Sequence, residues 1–215
     1  MDSAARRTGR DAGTVTLIAV TKTVPALNIR RARDAGIEVF GENRVQEAEP
    51  KIGEVDHVSW HFIGHLQRNK ARRAAELFDM IHSIDSERLA ELLDRLGRER
   101  CRPVRALIEV NVAGEGSKSG VAPAQVLPLV DTLAGREGLQ ILGLMTVPPY
   151  AADPEASRPH FRALGRLAAS IDARGLPGIT MRHLSMGMSA DFEVAIEEGA
   201  TMVRVGSAIF GERPA

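Results

Sequence analysis

Lys22 is the residue whose position most invites chemistry. It follows the apolar run Leu17-Ile18-Ala19-Val20-Thr21. Side chains alternate faces along a strand, so Lys22 shares a face with Val20 and Ile18. If that face lines a barrel, the amine enters a site floored by apolar groups. A free lysine has a pKa of ~10.4. Desolvation or a nearby positive charge lowers it, and the neutral amine then attacks an aldehyde. The ordinary alternative is a lysine leaving a strand end for solvent, where most lysines sit.

A second constellation lies in Thr201–Gly211. By the same alternation Arg204 faces with Met202 and Gly206, opposite Val203 and Val205. A charge flanked by strand-forming residues must be paired or bound. Gly206 and Ser207 then offer backbone N–H groups and a hydroxyl, and barrels often bind phosphate near their last two strands with such groups. Ser185 and Ser189, in Leu184-Ser185-Met186-Gly187-Met188-Ser189, add hydroxyls or a helix start. Against this, Asp191 and Glu193 bring negative charge to that turn. A structural salt bridge for Arg204 and plain helix capping by Ser189 stay equally open.

Other motifs fail on physical grounds. Gly114-Glu115-Gly116-Ser117-Lys118-Ser119-Gly120 lacks the Gly-Lys-Ser/Thr step of a nucleotide loop. His61 and His65 are four apart, a metal spacing only on a helix, and this stretch reads as strand. Arg68, Lys70, Arg72 and Arg73 read most simply as a solvated helix face. No dinucleotide fingerprint or esterase elbow is present.

These residues need elements to hold them. Short apolar, β-branched runs at 14–22, 37–42, 59–64, 79–84, 104–112, 139–147, 180–186 and 201–206 predict strands. Helix-like segments at 25–35, 44–51, 66–78, 86–99, 122–136, 155–174 and 189–199 lie between them. Pro25 suits a first helical turn and Gly36 a stop. Ser86 and Ser189 are candidate caps. The alternation implies parallel strands with helix-covered faces. Eight strands match an α/β fold of the closed (β/α)8, TIM-barrel type, with an open doubly wound sheet as the alternative. The candidate residues follow the apolar runs, where a barrel carries its active site: Lys22, Asn43, His65, Asn111, Met145 and Thr146, Ser185, then Arg204 and Gly206. The stretch around Pro148, Pro149, Asp153 and Pro154 is the expected excursion. One domain spanning residues 1–215 fits the length.

Composition narrows the function classes. Lysine plus arginine (28) balances aspartate plus glutamate (28), so no net field draws the chain toward nucleic acid or an anionic membrane. No apolar run approaches the ~18 residues of a membrane helix, and no signal sequence is evident. Cys101 is the single cysteine, which excludes an intrachain disulfide and a cysteine-rich metal site. A cytoplasmic, metal-free protein is expected.

Eight collinear segments resemble one family, the pyridoxal phosphate homeostasis proteins, which are similar to the barrel domain of alanine racemase. They are Ala19–Thr23, Phe40–Asn43, Trp60–Gly64, Leu66–Lys70, Ser117–Gly120, Gly143–Met145, Ser185–Ser189 and Arg204–Gly211. The resemblance implies an alanine racemase N-terminal-domain-like barrel carrying pyridoxal phosphate as a Schiff base on Lys22. It places Arg204 beside the pyridine nitrogen and Ser189, Gly206 and Ser207 around the phosphate. Asn43 and Ser185 stand near the cofactor, and Lys118 is a second cofactor-proximal or regulatory lysine. Arg44 stands where the family often has an aromatic residue, and His65 where proline is frequent. The segment before residue 14 is shorter than the family's N-terminal helix.

An arginine at the pyridine nitrogen disfavours its protonation and weakens the ring as an electron sink. Racemases of this kind add a base from another domain, for which this length leaves no room. The resemblance therefore implies a monomeric, non-catalytic carrier that buffers pyridoxal phosphate for apo-enzymes and influences amino-acid and keto-acid balance. No residue is assigned a catalytic role. The alternatives are a pyridoxal phosphate enzyme with weak racemase-like activity, and a phosphate-binding barrel enzyme without an aldehyde cofactor.

Overall fold

The computed structural model describes residues 1–116 and 119–211. Within them eight parallel strands close into a barrel in chain order. The chain opens with helix α1 (Asp2–Arg7) and strand β1 (Thr16–Val20). It continues through α2 (Ala26–Asp34), β2 (Val39–Glu42), α3 (Val45–Glu54), β3 (Ser59–Phe62), α4 (Ala71–Leu77), β4 (Met80–Ile84) and α5 (Glu87–Glu99). Then come β5 (Val104–Glu109), α6 (Pro123–Leu133), β6 (Leu139–Met145), α7 (Arg158–Asp172), β7 (Ile179–Ser185), α8 (Phe192–Glu197), β8 (Met202–Val205) and α9 (Ser207–Phe210). The strands fall on the apolar runs read from the sequence, and the closed barrel replaces the open-sheet alternative.

The core divides as period-two alternation requires. Ile18, Met80, Leu107, Met145 and Met202 form a buried cluster inside the barrel. Their strand neighbours Ala19, Ile81, Ala106, Ile108, Leu144 and Val203 join the larger layer between sheet and helices. Ile18 points inward, and Lys22 lies in the turn beyond the end of that strand. Each fully buried aliphatic side chain contributes roughly 1.5–3 kcal/mol, and the interior is a packed floor rather than a pore.

Closure joins the two ends of the chain. β1 pairs with β8 in the register Thr16↔Met202, Leu17↔Val203, Ile18↔Arg204 and Ala19↔Val205. On its other side β1 pairs with β2 through Ile18↔Val39, Ala19↔Phe40 and Val20↔Gly41. The residues that follow β7, β8, β1 and β2 are thus neighbours on one half of the mouth.

Several helix signals read differently in three dimensions. Gly36 does end α2, with φ +96°. Pro25 stands one residue earlier than expected, at the N-cap of α2. The helix expected from 66 begins with a 3-10 turn, Arg68–Lys70, before α4. Ser86 occupies the N-cap of α5, but its hydroxyl donates to Asp85 Oδ1 at 3.1 Å instead of capping. Ser189 caps nothing: α8 starts after Asp191, and the Ser189 hydroxyl instead accepts from the Gly206 N–H at 3.2 Å. The short α1 is tied to α8, with Arg7 reaching Glu193 and Glu197 at 2.6 Å each. Arg10 adds bonds to the carbonyls of Ile196 (2.7 Å) and Ala200 (2.9 Å).

Gly97 sits inside α5, where glycine costs about 0.5–1 kcal/mol relative to alanine. Its presence has a packing cause: a Cβ there would lie 1.9 Å from the Gly138 carbonyl oxygen. The same contact admits the Gly138 N–H to Asp94 Oδ1 at 2.9 Å, seating α5 against the start of β6. Gly97→Ala is therefore expected to lose about 2 kcal/mol or more in chemical denaturation. Gly53→Ala, in α3 with nothing within 4 Å, should hold or gain up to about 1 kcal/mol.

Candidate functional site

The site is built from the loops that follow neighbouring strands. Lys22 lies two residues beyond β1 and is half-buried. The residues around it are braced by a group from α3. Lys51 Nζ donates to the Thr21 carbonyl (2.8 Å), Glu42 Oε1 (2.7 Å) and Glu47 Oε1 (2.8 Å). Buried Thr21 donates its hydroxyl to Glu42 Oε1 at 2.7 Å, and the Thr23 N–H bonds Glu47 Oε1. Thr23 has φ +63°, an uncommon conformation for a β-branched residue. The turn bearing Lys22 is thus held from both flanks. Burial pushes the Glu42 carboxyl up, while its bonds from Lys51 and Thr21 pull it down.

Arg204 is 4% exposed, so its charge is nearly removed from water. Nη1 donates to Ser185 Oγ at 2.6 Å and Nη2 to the Thr146 carbonyl at 2.8 Å. Burial lowers its pKa to about 10, with Glu109 and Asp191 acting the other way; the guanidinium stays charged at neutral pH. The expectation that this charge must be bound to something is met by neutral oxygens, with no salt bridge to it among the described residues.

Ser185 is fully buried, and its hydroxyl meets His82 Nδ1 at 3.0 Å as well as Arg204. That hydroxyl is occupied by protein groups. Ser189 and Gly206 come together through their 3.2 Å bond, and Ser207 follows Gly206 at the exposed rim. Gly187, with φ +90°, lets the Ser185–Ser189 loop turn close to α8, and its carbonyl accepts the Arg204 N–H at 3.0 Å.

Asn43 follows β2 and is half-buried, with Oδ1 enclosed and lacking a hydrogen-bond partner among the described residues. Gly64 backs it: a Cβ there would meet the Asn43 carbonyl oxygen at 2.5 Å. Arg44 and His65 both line a cavity of about 440 Å³ on this side. Arg44 is exposed at the N-cap of α3. His65 pairs with Asp85 at 3.0 Å. His61 points into the barrel, so the two histidines share no metal site, and no group of three potential ligands occurs among the described residues. Lys118 lies outside the described residues.

Two features escape sequence reasoning. His82 and His61 form a buried pair inside the barrel, His82 Nε2 lying 3.0 Å from His61 Nδ1. Burial lowers His61 to about 4 and holds His82 well below the usual histidine range. Glu109 ends β5 with Oε2 enclosed and unpartnered among the described residues. Burial, then the charge of Asp85, raises its pKa to about 7. A period-two pattern places both groups inside, but nothing local marks either as polar core.

Glu109 generates a pH prediction. Its folded pKa lies above the unfolded value, so between pH ~4.5 and ~7 the native state binds more protons and stability falls as pH rises. Glu109→Gln should be more stable than the parent at pH 8 by about 1–3 kcal/mol. The gap should close as pH drops toward 4.5 in urea titrations; a constant gap would contradict the assignment.

Comparison with known proteins places the chain by sequence and by fold. The family model "Alanine racemase, N-terminal domain" matches residues 3–214. A pyridoxal phosphate homeostasis protein of Aquifex aeolicus is 42% identical over 216 residues, covering 99% of this chain and 93% of its own. One from Escherichia coli K12 is 41% identical over 223 residues, with 99% and 92% covered. The structure of PipY from Synechococcus elongatus with PLP bound superposes with TM-score 0.85 at 39% identity, covering 97% and 98%. Alanine racemase of Clostridium difficile shares the fold at TM-score 0.76 and 12% identity, this chain matching 58% of its length. By sequence along nearly its whole length, this chain belongs to the pyridoxal phosphate homeostasis protein family.

Proposed function

We propose that this chain carries pyridoxal phosphate, held covalently by Lys22, and delivers it to apo-enzymes that need it. The observation that carries the reading is the sequence of groups around half the barrel mouth: Ser189 with Gly206 and Ser207, then Arg204, Lys22 and Asn43, from four adjacent strands. The residues fit such a ligand. Ser189 and Ser207 supply hydroxyl donors for a phosphate, and Gly206, whose N–H holds the Ser189 oxygen, brings the backbone close to it. Asn43 Oδ1, enclosed without a protein donor among the described residues, is an acceptor suited to a phenolic hydroxyl. Arg204 supplies a fixed N–H for the ring nitrogen.

When bound, the group contributes a reactive aldehyde. The Lys22 amine would be the group that holds that aldehyde, in a linkage that water could reverse to free the cofactor. Storage and release therefore need no further base. Arg204, charged at neutral pH, opposes protonation of a neighbouring pyridine nitrogen. That weakens any electron-sink chemistry and favours a carrier over an amino-acid racemase. We further infer that the chain acts as a monomer in the cytoplasm.

Borohydride reduction of the loaded protein followed by peptide mapping tests the covalent site. The expected label is on Lys22, and Lys22→Ala should lose the yellow imine band while folding normally. A Lys22→Ala variant that stays yellow and binds as tightly, or label confined to Lys118, overturns the assignment. Turnover of α-proton exchange on free amino acids well above that of cofactor alone would favour the enzyme reading.

A further inference from the structure

We infer that His82 is a positioning residue for the cofactor site: as a neutral imidazole protonated on Nε2, it orients Arg204 through the Ser185 hydroxyl. Its consequence for the cofactor rests on the carrier reading, but the hydrogen-bond logic stands on the protein alone.

The direction of every bond follows from one fact, that a guanidinium only donates. Arg204 Nη1 lies 2.6 Å from Ser185 Oγ, so the serine oxygen accepts there. The single hydroxyl hydrogen is then left for the other neighbour, His82 Nδ1 at 3.0 Å. His82 Nδ1 must be a bare acceptor, and its proton sits on Nε2. That nitrogen lies 3.0 Å from His61 Nδ1, which must accept in turn. The chain runs one way: Arg204 to Ser185 to His82 to His61. Every member but His61 is at most 4% exposed, and His61 is 6% exposed, so water cannot substitute for a missing partner.

The alternatives are costly. An imidazolium at His82 would turn Nδ1–H toward a serine oxygen that already receives Arg204, leave the hydroxyl hydrogen with no acceptor, and bury a second positive charge beside the first. A neutral His82 with its proton on Nδ1 leaves the same hydrogen orphaned. His82 and His61 therefore relay a hydrogen-bond direction without adding charge. With Nη1 tied to Ser185 and Nη2 to the Thr146 carbonyl, the guanidinium plane is set. These bonds use two of its five N–H groups, and the others, the Nε–H among them, are the donors a ring acceptor could meet. A carboxylate in place of His82 would fix the arginine too, but would partly neutralise the charge that opposes ring protonation. The neutral pair fixes the arginine and spares its charge.

The test combines three single variants and one double variant with a measurement that needs no cofactor. Nitrogen NMR of the histidine-labelled full chain without cofactor should show His82 neutral with Nε2 protonated; Ser185→Ala should shift that signal. Protonated Nδ1, or an imidazolium, overturns the inference outright. In loaded protein, His82→Leu and Ser185→Ala should each release the cofactor about ten-fold faster and shift the visible imine band. His82→Asn, whose side-chain oxygen replaces the Nδ1 acceptor, should stay near the parent. The double variant of His82→Leu with Ser185→Ala should be no worse than either alone, since both break one chain. Equal effects of Leu and Asn, or additive effects in the double variant, overturn it. If His82→Leu does not fold, the tautomer measurement and the contrast of Ser185→Ala with His82→Asn still decide. A parent that forms no imine at all refutes the carrier reading instead, and the tautomer measurement then decides the role of His82 by itself.

Discussion

The seam between β1 and β8 is the constraint on which the site depends. Four register pairs along it set Ile18 beside Arg204 and Ala19 beside Val205, residues nearly the whole chain length apart. Only closure of the barrel brings the end of β1, which Lys22 follows, alongside β8 and its Arg204. An open sheet with the same strands would leave these groups at opposite edges. Backbone bonds between strands are individually modest, but they are made along a packed interior that resists slippage, because a one-residue shift would exchange inner and outer faces. The same pairing therefore secures both the fold and the placement of its reactive groups.

The barrel interior is mixed in character. Ile18, Leu107, Met145 and Met202 belong to one buried apolar cluster, while Arg204, Ser185, His82, His61 and Glu109 lie on the same inward faces. Low-dielectric surroundings make such polar groups costly unless each finds a partner. Arg204 is satisfied by neutral oxygens, and the histidines are kept uncharged by burial. Glu109 instead responds by holding its proton more tightly. Among these inward groups the positive charge thus rests on Arg204.

Much of this is legible in the sequence. Runs such as Leu17–Thr21 and Thr201–Gly206 are short, apolar and separated by amphipathic stretches, so strand order and strand ends can be read directly. Lys22 and Arg204 stand out because charges at the inner positions of apolar runs are physically unusual. His82 does not, because Met80-Ile81-His82-Ser83-Ile84 reads as ordinary core and its meaning depends on Ser185, 103 residues away. Ser189 has the residue type and spacing of a cap, yet its hydroxyl is claimed by Gly206 across a contact that exists only once β7 and β8 lie side by side. Lys51 reads like one more surface cation of an amphipathic helix.

Lys51 has a consequence for how the turn after β1 is built. The three hydrogens of its ammonium match three acceptors, the Thr21 carbonyl and one oxygen each from Glu42 and Glu47. One cation thereby ties the ends of β1 and β2 to α3, and it sets two carboxylates side by side without leaving them to repel each other. The shape of that turn hangs on a single nitrogen from a helix.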